Sequence, residues 1–169
     1  LESGYGASLY AFNLMKAAAA NQPLDSVTRG LFSDPRFHGT TVPSIWPARG
    51  QVTAGFGQRM DPFSGEGAFH AGLDISAPYG AGVLASADGI VFDAGRDSGY
   101  GNSILIDHGF GITTKYGHLS KIDVVVGQEV RRGQVIGSVG MTGRATGPHL
   151  HYEVHVHETP VNPAKYLRG

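Results

Sequence analysis

From residue 51 onward, apolar and polar residues alternate in short runs closed by glycine, proline, asparagine or aspartate. A period of two is the signature of a β-strand, whose successive side chains point to opposite faces. The runs are QVTAGF, LDISA, GVLASAD, GIVFDAG, NSILIDHG, ITTKYGHL, QVIGSVG and HLHYEVHVH, with DPFSGEG, APYGAG and RDSGYGN as turns between them. No helical period intervenes. The expected fold is therefore mainly β: antiparallel sheets folded as a sandwich or partly open barrel with a groove. Two segments, PYGAGVLASADGIV and VGQEVRRGQVIGSVG, echo one another, either as related hairpin units or through the shared grammar of small β-proteins.

The first 45 residues have a different texture. Ser8 to Ala20, SLYAFNLMKAAAA, consists of good helix formers and is stopped by NQP. A loop punctuated by Pro35, Pro43 and Pro47 follows. The chain is thus expected to divide into a helical arm and linker, 1–45, and a β domain, 46–169. The arm is expected to pack against the domain, to belong to an upstream module, or to lie over the cleft as a lid.

Length and composition narrow the chemistry. A chain of 169 residues supports one sizeable core. Charged residues make up 16% and the net charge is -1, without the basic stripe that a phosphate backbone demands, so nucleic acid is not an expected partner. No run approaches the eighteen or so apolar residues of a membrane span. The sequence begins at Leu1 rather than Met, so a trimmed piece of a longer protein is expected. Cysteine is absent, which leaves histidine and carboxylates for any metal or catalytic work.

Those residues cluster in the sequence. Of eight histidines, four fall in the short motifs HAGLD (His70 to Asp74), YGHL (His118) and HLH (His149 and His151). Two apart on a strand, His149 and His151 share a face at roughly 7 Å Cα separation. His70 and Asp74 would lie roughly 13 Å apart on a straight strand, so the chain is expected to bend between them, at Gly72. Taken singly, each motif is more often structural than functional. GxSxG, HExxH, Walker and GxGxxG patterns are all absent, however, and chemistry built on His and Asp remains.

FHAGLDISAP, GYGN, KYGHLS, VGQEVRRGQVIG, TGRATGPHLHYEV and VNPAKYL, in that order over residues 47 to 167, resemble the lysostaphin-type zinc endopeptidases that hydrolyse peptide bonds in bacterial peptidoglycan. The resemblance implies one zinc ion held by His70, Asp74 and His151, with His118 and His149 as the catalytic pair. It also implies peptidoglycan stem peptides or cross-bridges as substrate, and a cell-envelope location, periplasmic or extracellular, with room for membrane anchoring through a missing N-terminal part. Two neutral imidazoles and one carboxylate leave such a site with net positive charge. His149 is then expected to be the general base, and His118 to steady the oxyanion or protonate the leaving amine.

The remaining polar residues carry smaller expectations. Glu153 is expected to support a ligand through a hydrogen bond, and Thr146 and Arg144 to border the groove. His155 and His157 are expected to be solvated or polar-paired, His108 structural, and Tyr152 in the core. Two rivals stand beside the hydrolase: a non-catalytic relative that binds peptidoglycan or activates another hydrolase, and a lipoyl- or biotin-carrier-like module. The carrier would need an exposed lysine at a hairpin tip, which Lys115 and Lys121 do not clearly supply.

Overall fold

The computed structural model describes residues 41–60 and 67–167. The helix expected at Ser8 to Ala20, the idea of a lid, and most of the DPFSGEG turn lie outside them.

Twelve strands follow in order: β1 (Gln51–Ala54), β2 (Gly57–Met60), β3 (Gly67–His70), β4 (Leu73–Ser76), β5 (Gly82–Leu84), β6 (Gly89–Asp97), β7 (Gly101–Gly109), β8 (Ile112–Ile122), β9 (Glu129–Val130), β10 (Val135–Val139), β11 (His149–Val156) and β12 (Thr159–Val161). A short 3₁₀ turn over Pro163–Lys165, capped by the Asn162 side chain, ends the described chain. Ten strands form one antiparallel sheet ordered β1-β4-β11-β8-β7-β6-β9, with β12 on β11, and β10 bridging β8 and β5. β2 and β3 form a separate hairpin. The sheet does not close into a barrel.

All eight sequence-predicted runs contain a strand, although GVLASAD contributes only Gly82–Leu84 before the next strand begins. The echoing segments are not two hairpins. They pair with each other, β5 against β10 at one end and β6 against β9 at the other.

One face of the sheet is the core: Ile75, Ile104, Ile106, Leu119, Leu150 and Val154 are fully buried there. Each such side chain contributes roughly 1.5–3 kcal/mol relative to exposure. Tyr152 belongs to this face, as its strand position predicts, and its ring meets that of Tyr116 at 5.4 Å. The segment before β1 seals one edge: Ser44 N–H donates to the Ser86 carbonyl, Pro47 accepts from Leu84 N–H, and Ala48 joins the core.

The opposite face carries the polar alternates of β4 and β11. These do not face open water, because β11 lies in the middle of the sheet between β4 and β8 and both its faces are covered from Leu150 to Val154. The period of two in HLHYEVHVH therefore separates an apolar face from a buried polar one.

Candidate metal centre

Three local backbone features bring the site together. His70 ends β3 in the small hairpin, whereas Asp74 sits in β4 of the main sheet, so the chain does bend between them. Gly72 makes this possible in a different way from that expected. Its φ is not positive; instead the backbone passes so close to β11 that a Cβ would lie 2.3 Å from the Tyr152 carbonyl oxygen. The second feature is register: His151 pairs directly with Asp74 across β11 and β4, and with Gly117 across β8.

The third is a bulge in β8. Against β7, Tyr116 pairs with Ile104 and Leu119 with Asn102, leaving Gly117 and His118 together opposite Ser103. His118 occupies the left-handed region at φ 62°, a strained conformation for a non-glycine residue that turns its side chain toward the groove. The strain is held by two bonds: His118 N–H donates to the Tyr100 carbonyl at 2.7 Å, and Nδ1 to the Thr142 carbonyl at 2.7 Å.

The result is a cluster of four imidazoles, three of them within 3.8 Å of one carboxylate. His151 Nδ1 lies 2.8 Å from Asp74 Oδ1, His70 Nε2 lies 3.3 Å from Asp74 Oδ2, and His149 Nε2 lies 3.8 Å from Asp74 Oδ1. Ring centroids of His118 and His149 are 4.7 Å apart, and those of His70 and His151 5.2 Å. A small cavity of about 220 Å³ opens beside them, lined by Thr53, Asp74, Ser76, Thr146, Pro148 and His149, with Gly147 completing the wall. Thr146 thus borders the groove as predicted, while Arg144 is exposed and only its backbone N–H is tied, to the Gly99 carbonyl.

The other ring nitrogens decide what this cluster can do. His70 Nδ1 faces the Gly55 carbonyl at 2.8 Å, and His149 Nδ1 faces the Gly147 carbonyl at 2.9 Å. A carbonyl only accepts, so in the neutral rings of His70, His118 and His149 the proton sits on Nδ1 and Nε2 carries a lone pair. In His151 the roles are reversed: Nε2 lies 2.6 Å from Glu153, and Nδ1 faces Asp74.

His70, Asp74 and His151 each offer one ligand atom, and these atoms all lie within 4.8 Å of one another. Imidazole nitrogen with carboxylate oxygen is a donor set that suits zinc. Polar bonds on the far nitrogens are the usual companions of such ligands. The residues therefore fit a metal ion.

Without a metal ion, the charges of the cluster follow from these bonds. Burial opposes ionisation of Asp74, but hydrogen bonds from His151 and His70 outweigh it and hold the carboxyl well below the usual range. Burial likewise opposes a charged His151, yet its bonds to Asp74 and Glu153 push it up to about 9. Burial moves His118 the other way, below the ordinary imidazole range.

One residue escaped sequence reasoning. Tyr100 had been read only as part of a turn and of the GYGN signature, yet its hydroxyl donates to Glu153 Oε2 at 2.8 Å. His155 is polar-paired rather than solvated, with Nε2 2.6 Å from Glu153 Oε1. Glu153 supports His151 as expected. His108 is structural: it is fully buried on the core face, bonded to the Asp88 carbonyl and the Thr114 hydroxyl. Lys115 lies within β8 and is paired with Asp97 at 2.7 Å, which removes it as a carrier lysine.

An antiparallel sheet with a His–Asp–His cluster in an open groove defines a metallopeptidase-like scaffold. Residues 68–163 match Peptidase family M23, and the chain belongs to that family. It is 49% identical over 113 residues to the DD-carboxypeptidase/endopeptidase Mpg of Neisseria meningitidis, covering 67% of this chain and 26% of the relative. A solved zinc-containing peptidase from Vibrio cholerae is 40% identical with a TM-score of 0.69, covering 72% of this chain and 39% of that one. The catalytic domain of lysostaphin from Staphylococcus simulans is 33% identical with a TM-score of 0.62, covering 69% and 90%. The chain spans about a quarter of the length of the curated relatives it matches. Among the described residues, no helix is long and apolar enough to cross a membrane.

Proposed function

We propose that this chain is a zinc-dependent endopeptidase that cuts peptide cross-links of bacterial peptidoglycan in the cell envelope. One zinc ion would be held by His70 Nε2, Asp74 and His151 Nδ1, and His118 and His149 would handle protons. The observation that carries this reading is the convergence of four imidazoles and Asp74, with His70, His118 and His149 each keeping a lone pair on Nε2. A non-catalytic relative has no need for the complete set. Names of the relatives, DD-carboxypeptidase/endopeptidase and peptidoglycan DD-endopeptidase, favour D,D-type bonds in direct cross-links over glycine bridges.

Bound at these residues, zinc would supply Lewis acidity toward a water molecule and the scissile carbonyl. The chain's own contribution is orientation and proton transfer. His149 Nε2, beside Asp74, accepts a proton from the water as its oxygen adds to the carbonyl carbon. His118, whose ring lies 4.7 Å from that of His149, rests with a lone pair on Nε2; it takes up a proton there from solvent, steadies the oxyanion, and gives that proton to the leaving amine nitrogen as the C–N bond breaks. Both rings then exchange protons with solvent. The cavity offers the hydroxyl groups of Thr53, Ser76 and Thr146 beside Asp74 and His149, which suits hydrogen bonding to a peptide segment lying next to the bond being cut.

Digestion of defined cross-linked muropeptide dimers by the zinc-loaded protein, with products weighed by mass spectrometry, tests this. Monomers released by cleavage at the D,D-bond are expected. Intact dimers after prolonged incubation would refute the reading.

A further inference from the structure

Behind His151 lies a group of side chains that the hydrolytic scheme does not use. Glu153 is 1% exposed and accepts three hydrogen bonds: Oε2 from His151 Nε2 at 2.6 Å and from the Tyr100 hydroxyl at 2.8 Å, and Oε1 from His155 Nε2 at 2.6 Å. A buried carboxylate is tolerated only when it is this fully bonded. Its obvious partner has been drawn away. Lys115 stands opposite Glu153 in the β8–β11 register, yet its ammonium bonds Asp97 at 2.7 Å and lies 3.7 Å from the centre of the Tyr100 ring. Compensation of the Glu153 charge is left to the imidazoles and the phenol.

Tyr100 is engaged in three further ways. Its hydroxyl reaches Glu153, its ring lies 5.4 Å from that of His151, and its carbonyl accepts the backbone N–H of the strained His118. The turn that carries it is wedged tightly: a Cβ on Gly101 would lie 2.3 Å from the Thr142 carbonyl carbon, and Thr142 also bonds the His118 ring.

We infer that Tyr100, Glu153 and His155 are positioning residues that lock the His151 ring so that Nδ1 faces the metal, with Tyr100 linking this clamp to the His118 bulge. An imidazole free to flip presents either nitrogen. With Nε2–H given to Glu153, only Nδ1 remains for a ligand bond, and its ring plane is fixed from behind. His155 and Tyr100 in turn stop the carboxylate from rotating. The inference rests on the proposed metal site.

The test is zinc affinity, measured by competition with a chromogenic chelator, for the unaltered chain and for Glu153→Gln, Tyr100→Phe and His155→Ala. Loss of affinity of about 10–100-fold is expected for Glu153→Gln, and about 10-fold for the other two. The cobalt-substituted variants should show displaced d–d absorption bands, which a change in packing alone would not produce. Should Glu153→Gln fail to fold, the other two carry the test. Unaltered affinity and cobalt spectra in Tyr100→Phe and His155→Ala would overturn the clamp while leaving the metal site standing. No zinc binding by the unaltered chain would instead overturn the reading beneath it.

Discussion

The two faces of the central sheet both bury histidine among polar groups, and they do so with opposite logic. On the core face a chain of hydroxyls runs from Tyr152 through Ser86, Tyr116 and Thr114 to His108. Because His108 Nδ1 faces the Asp88 carbonyl, the ring proton sits there and Nε2 must accept. Thr114 then donates to His108, Tyr116 to Thr114, Ser86 to Tyr116 and Tyr152 to Ser86. Every proton has one destination and nothing is left over. On the groove face, by contrast, the far nitrogens of His70, His118, His149 and His151 are satisfied, and the near ones of His70, His149 and His151 lie within 3.8 Å of a single carboxylate. A co-directed set of near nitrogens is what the proposed site has and the core face lacks, and burial alone does not distinguish the two.

Breaking the groove face should have the largest effects. Asp74→Ala or His151→Ala should lose bound zinc altogether, as read by metal analysis of the purified protein, and with it all hydrolysis. His149→Ala and His118→Ala should keep stoichiometric zinc and lose turnover by about 10²–10⁴-fold, the usual worth of a positioned acid or base. Zinc retained at full stoichiometry in His151→Ala would show that the two faces had been distinguished wrongly.

Breaking the core face should affect stability. Burial pushes His108 down to about 4 from the ordinary 6.5, against the weaker upward pull of its Asp88 bond. The unfolded chain therefore binds this proton first. The contribution of His108 is complete above pH 6.5 and is lost as pH falls from there through 4, about 3 kcal/mol in all. Urea denaturation across that range should show the decline, and His108→Gln should flatten it. A slope unchanged by the substitution would remove His108 as the cause.

A smaller effect probes the seam between the faces. Gly72→Ala would force a methyl group against the Tyr152 carbonyl and the Glu153 side chain, and should cost about 1–3 kcal/mol by thermal denaturation of the metal-free protein. An unchanged Tm would mean that β4 and β11 are less closely apposed than described.

What the sequence made legible follows from locality. Period-two runs revealed β4, β8 and β11, three of the four strands that carry the site, and HLH revealed two groove-facing imidazoles, because both depend only on alternation within one strand. The need for a bend in HAGLD was visible from the length of an extended chain, but its cause was not. Gly72 is required by the approach of β11, some eighty residues later, and no local pattern encodes that. The four strands missed, β2, β3, β9 and β12, are two to four residues long and too short for a period to emerge. Tyr100 was passed over for a related reason: its partner, Glu153, lies 53 positions further along the sequence. The bulge that aims His118 depends on the pairing of β7 with β8, which is again non-local.

Anomalous diffraction at the zinc edge from crystals of the zinc-loaded protein addresses the metal centre most directly. The account predicts one peak per chain, roughly 2.0–2.2 Å from His70 Nε2, an Asp74 oxygen and His151 Nδ1, with room left for a displaceable ligand. A peak elsewhere, coordination through His151 Nε2, or a shell closed by a fourth side chain would contradict it.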